Sequence, residues 1–441
     1  MFRCRIARSE NLIFIKKRLG ILFIVLAFLF GIYAPNFQIK DKELSAWAKE
    51  LKQFYFNLDY PQNIVTSRYA FDSIARSKDR GPYFLEKFGS NTVLGLNRNN
   101  GKVYKWVIND KDVIETLVGQ VKIPGIILSG KAPYLPPIFT DVLTDPLNMY
   151  VSIVIENPEL NCQSLNLYKS KISNIEIQEK IFETPCIDAF TTVMWGGKLS
   201  KDKENNVYFS VGEMRFDTSG YPLKNFTSKS FDSKGNLQYT IEEPFGTVIK
   251  IDPNNNKTEI YTTGHRNIQG LFYNIGTNKL ISTEHGPFGG DEINILENGQ
   301  YYGWPKSTFG KPYPENHPGN TPSKTVDIEI ARKGFVSGKH STGTIPIDSW
   351  SPGVGPSAII TVPENSFFSD WAGDIVYSSM KTNQLVRVTY DFKKSLLNHK
   401  EFITLSDSIS DLRVRDFELL EKGYLVLSFD NGQLGIYKQF D

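Results

Sequence analysis

The chain has 441 residues, 40% of them apolar and 13% aromatic, and 50 basic against 48 acidic side chains give it a formal net charge of +2. This is ample material for a large core, and with basic residues scattered along the chain nothing in the charge suggests nucleic acid as a partner. One large domain is the expected arrangement, because all-β units commonly run past roughly 200 residues.

The first 18 residues are basic, with Arg3, Arg5, Arg8, Lys16, Lys17 and Arg18, and an apolar run from Leu19 to Ala34 follows. As a helix at ~1.5 Å per residue the run spans ~24 Å, a little short of a ~30 Å hydrocarbon core. It reads as a membrane anchor over 19–34 or as the core of a signal peptide. Pro35 after Ala34, and the lack of an Ala-x-Ala site, favour the anchor. In both cases the basic residues 1–18 stay in the cytoplasm and the rest is carried to the periplasm or outside the cell. Asp41 can cap a juxtamembrane helix over 41–58, where Leu44, Trp47, Ala48, Leu51, Phe54, Tyr55 and Leu58 recur at helical spacing before Pro61. Beyond Cys4 the only thiols are Cys162 and Cys186. An even pair in an oxidising compartment points to a disulfide, with two buried free thiols as the other reading.

From about Phe84 to the C-terminus the chain reads as short strands. Thr92–Leu96, Lys102–Ile108, Tyr150–Glu156, Asn206–Val211, Gly246–Asp252, Lys279–Thr283, Asp374–Ser378, Gln384–Tyr390, Tyr424–Phe429 and Gln433–Lys438 are rich in Val, Ile, Tyr and Phe, and Gly, Asn, Asp or Pro punctuates most of them. Asp430-Asn431-Gly432 between two apolar runs is a hairpin signal. Such hairpins recur along the chain. The reading is all-β, a six-bladed β-propeller over 84–441, with a double β-sandwich as the alternative. The segment 306–349, rich in Pro, Gly, Ser, Thr and Lys, is expected to be a long functional or mobile loop.

Chemistry concentrates in 264–305. Gly264-His265-Arg266-Asn267, then Thr283-Glu284-His285-Gly286-Pro287 and Asp291-Glu292, then Tyr301-Tyr302-Gly303-Trp304-Pro305 flank one short apolar strand. The mix is too polar for a core and too regular for a linker, so two loops are expected to meet at one rim of a β-structure. His265 and His285 have no partner at zinc-ligand spacing and read as turn residues. Further on stand Trp350, Gly355-Pro356-Ser357, Asp370-Trp371-Ala372-Gly373-Asp374, Lys381 and Arg413-Val414-Arg415-Asp416-Phe417. Arg413 and Arg415 are two apart and would share one side of a strand.

These motifs, in this order, resemble those of the soluble pyrroloquinoline-quinone (PQQ) dependent sugar dehydrogenases, the glucose/sorbosone dehydrogenase family of six-bladed propellers. The resemblance covers 244–305, continues over 345–438 and thins out before 244. It implies an oxidoreductase acting on a small sugar or alcohol. It implies that Arg266, Asn267, Trp350, Lys381, Arg413 and Arg415 bind the planar tricarboxylate PQQ, which suits cations that pair with carboxylates. It also implies calcium, held by the carbonyls of Gly286 and Pro287, with Asp291 and Glu292 as an acidic pair for further calcium or simply as a charged turn.

One position departs from the family. Its catalytic base is a His separated by one residue from a Gly-Gly-basic step. Here the segment is Val193-Met194-Trp195-Gly196-Gly197-Lys198, and Val211-Gly212-Glu213 supports the register. Met194 therefore occupies the position, and a thioether accepts no proton at physiological pH. His317 and His340, in the long loop before Trp350, are the substitutes to consider. A catalytically silent propeller that binds a carbohydrate or an envelope protein is the alternative to an active enzyme.

Overall fold

The computed structural model describes residues 69–76, 79, 81–110, 112–128, 136–188, 194–214, 227–231, 237–287, 289–310, 340, 342–363, 369–405 and 412–439. The basic N-terminus, the 19–34 run and the 41–58 helix expected from the sequence lie outside these residues. No helix among the described residues is long and apolar enough to cross a membrane.

Short strands rich in β-branched and aromatic residues bury best when stacked as small twisted sheets, and this chain forms six of them. Blade I comprises Tyr83–Gly89, Thr92–Asn97, Lys102–Ile108 and Val113–Gln120. Blade II begins with Ile138–Thr144, Asn148–Asn157, Cys162–Lys171 and Asn174–Glu183. Blade III holds Gly196–Lys201, Val207–Val211, Thr247–Ile251 and Thr258–Thr263; blade IV holds Ile268–Asn274, Lys279–Glu284, Asp291–Leu296 and Asp348–Trp350. Blade V holds Pro356–Thr361, Ile375–Ser379, Gln384–Asp391 and Leu396–Thr404. Blade VI has Val414–Leu419, Tyr424–Phe429 and Gln433–Gln439, and its outer strand is Tyr69–Arg76, from the other end of the chain.

That last pairing, with Tyr69 opposite Gln439, fastens the two ends of the ring into one sheet. The strand lies ahead of residue 84, where the sequence pattern placed the start of the propeller. A second feature is absent from the sequence reading. After its second strand blade III gives up a hairpin, Thr227–Phe231 with Leu237–Glu242, which pairs onto Asn174–Glu183 and widens blade II outward. The expected bond between Cys162 and Cys186 is formed, with the Cα atoms 5.4 Å apart.

The core lies between blades. Phe182 of blade II meets Phe209 of blade III edge-on at 5.6 Å, and Tyr208 of blade III stacks on Tyr273 of blade IV at 5.7 Å. Tyr83 and Trp106 of blade I pack with Leu420, Val426 and Leu434 of blade VI. Each such side chain contributes on the order of 2 kcal/mol by leaving water.

The first strand of each blade is the inner one, and the six inner strands stand side by side around the axis. All start at the same end. The residues just before each inner strand, and the turns joining each second strand to its third, therefore collect on one rim. That rim carries 194–197, 212–214, 264–267, 285–287, 289–291, 353–356, 380–381, 413–415 and 430.

Candidate functional site

The rim is built by loops that bond to one another. Arg266, at the turn before blade IV, is only 1% exposed. Its backbone carbonyl accepts the Glu213 amide at 2.8 Å from blade III. Its guanidinium donates from Nη1 to the carbonyls of His285 (3.1 Å) and Gly286 (2.7 Å) and lies 5.4 Å from the Trp304 ring centre. Asn267 joins the neighbouring blade, with its Oδ1 accepting the Gly196 amide at 3.2 Å. A Cβ at Gly286 would collide with the carbonyls of Gly289 and Gly290, so only glycine lets this loop fold so tightly.

Asp291 ties blade IV to blade V, since Oδ1 accepts the Gly286 amide at 3.0 Å and Oδ2 the Gly355 amide at 2.7 Å. The Gly355 carbonyl in turn accepts the Met380 amide at 2.8 Å, and the Lys381 amide donates to Val354 at 3.1 Å. Lys381 is thus an exposed residue of the turn beside the glycine loop. Arg413 reaches the Met380 sulfur from Nη2 at 3.5 Å and Asp430 from Nη1 at 3.4 Å. Arg415 donates from Nε (2.8 Å) and Nη2 (2.7 Å) to the Asp430 carboxylate. His285 donates from Nε2 to the Pro356 carbonyl at 2.7 Å, because a carbonyl can only accept. Burial lowers the pKa of His285, and Arg266 and Arg415 push it the same way while Asp291 opposes them. The order Asn267, Arg266, Gly286, Asp291, Gly355, Met380, Arg413, Asp430, Arg415 thus runs along the rim from blade III to blade VI.

The structure therefore brings Arg266, Asn267, Lys381, Arg413, Arg415 and the Gly286–Pro287 step to one end of the ring. Met194 stands at the same end, and its carbonyl accepts the Met214 amide at 3.2 Å. A Cβ at Gly212 would strike the Met194 carbonyl, which explains the glycine in Val211-Gly212-Glu213. Trp350 sits on the outer strand of blade IV, opposite Asp291, with Phe402 edge-on at 5.4 Å and Lys400 Nζ 3.5 Å from its ring centre. His317 lies outside the described residues. The His340 imidazole is 1% exposed and stands 4.0 Å from Glu292, with Nε2 at 3.1 Å from the Tyr302 carbonyl and the ring stacked on Phe309. Burial lowers its pKa.

Glu292 is enclosed. Burial, with Glu284 and Asp291 adding to it, pushes its carboxyl well above the usual carboxylate range. Its neighbour Asn294 donates from Nδ2 at 3.3 Å, while the buried Asn294 Oδ1 has no hydrogen-bond partner among the described residues. No group of three or more His, Cys, Asp or Glu side chains among the described residues is arranged around a common metal position.

Two site residues escaped the sequence reading. Asp430 read only as a hairpin turn, and Glu284 only as one member of the polar Thr283–Pro287 motif, with no role of its own. An acidic residue directly after the apolar run 279–283 was the available signal for Glu284, and the structure extends that strand to include it. A third group of charges lies deeper, in a channel cavity of about 310 Å³ lined by Glu86, Asp141, Lys198, Lys201, Asp416 and Glu418 among apolar residues.

Six such blades around one axis define a β-propeller. A family model described as Glucose / Sorbosone dehydrogenase matches residues 140–438, and the chain belongs to that family. It is 26% identical over 238 residues to the aldose sugar dehydrogenase YliI of Escherichia coli (strain K12), covering 54% of this chain and 57% of that protein. It is 45% identical over 160 residues to quinoprotein glucose dehydrogenase B of Acinetobacter calcoaceticus, covering 36% of this chain and 29% of the relative. In both cases the match spans less than two thirds of the relative. Among solved structures a glucose dehydrogenase superposes with a TM-score of 0.60 at 20% identity, over 84% of this chain and 99% of that one. The PQQ-bound aldose sugar dehydrogenase of Streptomyces coelicolor gives a TM-score of 0.53 at 15% identity, over 84% of this chain and 97% of its own. At these identities the structural likeness establishes the fold.

Proposed function

We propose that this chain is a PQQ-dependent dehydrogenase of sugars or related alcohols, anchored through residues 19–34 with the propeller in the periplasm or outside the cell. The convergence of Arg266, Arg413, Arg415 and Lys381 on one rim carries this reading. The donor set fits a flat tricarboxylate. Arg413, with its side chain half exposed, and the exposed Lys381 face an incoming carboxylate, while Arg266 and the Arg415 fork add positive charge from behind their bonds to carbonyls and to Asp430. Asn267 adds a neutral polar group fixed against Gly196. When bound, PQQ would supply the hydride acceptor.

The protein's own part is to hold and orient. Arg266 is enclosed and pre-positioned, so little side-chain freedom remains to be lost when an anion arrives. The Gly286 carbonyl accepts from Arg266 but keeps a second lone pair, and with Pro287 it can offer calcium an oxygen ligand. Glu292 and the unpartnered Asn294 Oδ1 are oxygen ligands of the type calcium takes, and Asp291 beside them has both oxygens engaged by amides. The proton acceptor at this rim is not Met194.

Met194 favours a second reading. In it the propeller keeps the cleft but has lost turnover, and binds a carbohydrate or an envelope protein. A titration of the purified chain with PQQ and calcium, followed by PQQ absorbance, tests the first reading, with dye reduction by a panel of aldoses as the next step. Saturable binding with turnover supports the dehydrogenase. Binding without turnover supports the silent propeller. No binding ends the PQQ assignment.

A further inference from the structure

Behind Arg266 lies a pair of buried side chains that no part of the proposed chemistry uses. Glu284 ends the second strand of blade IV, opposite Ile268 in the ladder. Its Oε1 accepts the backbone amide of Arg266, and its Oε2 accepts from His265 Nδ1 at 2.9 Å. The far nitrogen of the same ring, Nε2, lies 2.9 Å from Thr262 Oγ1, and the ring stacks on Tyr302 at 4.9 Å. Side-chain exposure is 6% for Glu284 and 1% for His265. One carboxylate therefore holds both the backbone of the turn and the imidazole that fills the space under it.

We infer that Glu284, with His265, is the positioning unit that fixes Arg266 for the anionic cofactor. The inference rests on the PQQ reading given above. A carboxylate with both oxygens committed to adjacent residues restrains the turn more tightly than a backbone ladder alone, and bonds to an ionised acceptor are roughly twice as strong as neutral ones. The guanidinium then has its direction set twice, by its own amide through Glu284 and by its Nη1 bonds to His285 and Gly286. Neither Glu284 nor His265 needs to touch the cofactor.

The chemistry of the pair supplies a discriminating series. Glu284→Gln keeps an oxygen for the Arg266 amide and presents an NH2 to His265. The ring can answer in the tautomer with its proton on Nε2, so that Nδ1 accepts and Nε2 donates to Thr262. Glu284→Ala removes both bonds. The full chain, purified in detergent, is titrated with PQQ by absorbance, and crystal structures of parent and variants locate Arg266. Glu284→Ala should bind PQQ roughly 10–100-fold more weakly, the range seen when supporting partners of a built site are lost. Glu284→Gln should stay within about threefold of the parent. Equal affinity of the parent and a folded Glu284→Ala overturns the inference. A parent that does not bind PQQ ends the cofactor reading instead, and the crystal structures then decide alone: Arg266 still bonded to Gly286 in Glu284→Ala overturns the positioning role. Should Glu284→Ala not fold, Glu284→Asp, which keeps a carboxylate but is one methylene too short to hold the Arg266 amide and His265 Nδ1 together, takes its place in both measurements.

Discussion

Arg415 and Asp430 meet side-on, with Nε and Nη2 of the guanidinium both directed at one carboxylate oxygen, at 2.8 and 2.7 Å. The other oxygen lies 3.4 Å from Arg413. A residue from the hairpin after the second strand of blade VI thus holds together the two cations that stand at the start of its first. Asp430→Ala leaves Arg415 largely enclosed without its counter-ion. The expected loss is about 2 kcal/mol, read by chemical denaturation. An unchanged midpoint would show that solvent screens the pair.

Asp291 spans two blades through amides alone. Asp291→Asn can keep the bond to Gly286 but turns an NH2 toward the Gly355 amide, donor against donor. Stability should fall by about 1–2 kcal/mol, and PQQ affinity should fall with it, because the Gly355 loop carries the Met380–Lys381 turn. If thermal unfolding and PQQ binding both stay at parental values, Asp291 does not organise the rim.

Met194→His restores an imidazole at the position where the family carries its base. If the cleft is otherwise intact, dye reduction with aldoses should rise roughly 100-fold or more, the scale of a positioned proton acceptor. A PQQ-loaded variant no faster than the parent would show that more than this side chain separates the chain from turnover.

The channel charges predict a pH dependence. Burial raises Glu86 to about 7 against the lowering effect of Thr144 and Lys201, and it raises Asp416 to about 7 against Lys198, with Asp141 adding to the rise. Glu418 is pushed well up by burial and by Glu86 and Asp416, and Lys198 stands 3.5 Å from Asp141. For a carboxyl with a raised folded pKa the native state holds a proton that the unfolded chain has released. Its contribution is complete below the unfolded pKa, near 4.5 for Glu86, and disappears as pH rises through about 7. The melting temperature should therefore fall between about pH 4.5 and pH 7.5 through these groups. Glu86→Gln, which still accepts the Thr144 amide, should flatten part of that slope and melt higher than the parent at pH 7.5. An identical slope in the variant would remove Glu86 from the account.

Much of this protein was legible in its residues. The alternating Val, Ile, Tyr and Phe runs, cut by Gly and Asn turns, specify strands because side chains in a strand repeat every two residues. Repetition of such hairpins specifies blades, and the polar turns around Arg266, Gly286, Arg413 and Arg415 stood out against them as motifs that resemble those of a known family. Closure of the ring was not legible. Tyr69–Arg76 finds its partner some 360 residues away, at Gln433–Gln439, and nothing local in a strand says what it will pair with. The blade III hairpin lent to blade II was hidden for the same reason. So were the roles of Glu284 and Asp430, two carboxylates whose partners come from separate turns. Local pattern reports what a segment must bury. Which charge ends beside which is settled only when six inner strands, all starting from one end, bring distant loops to the same rim.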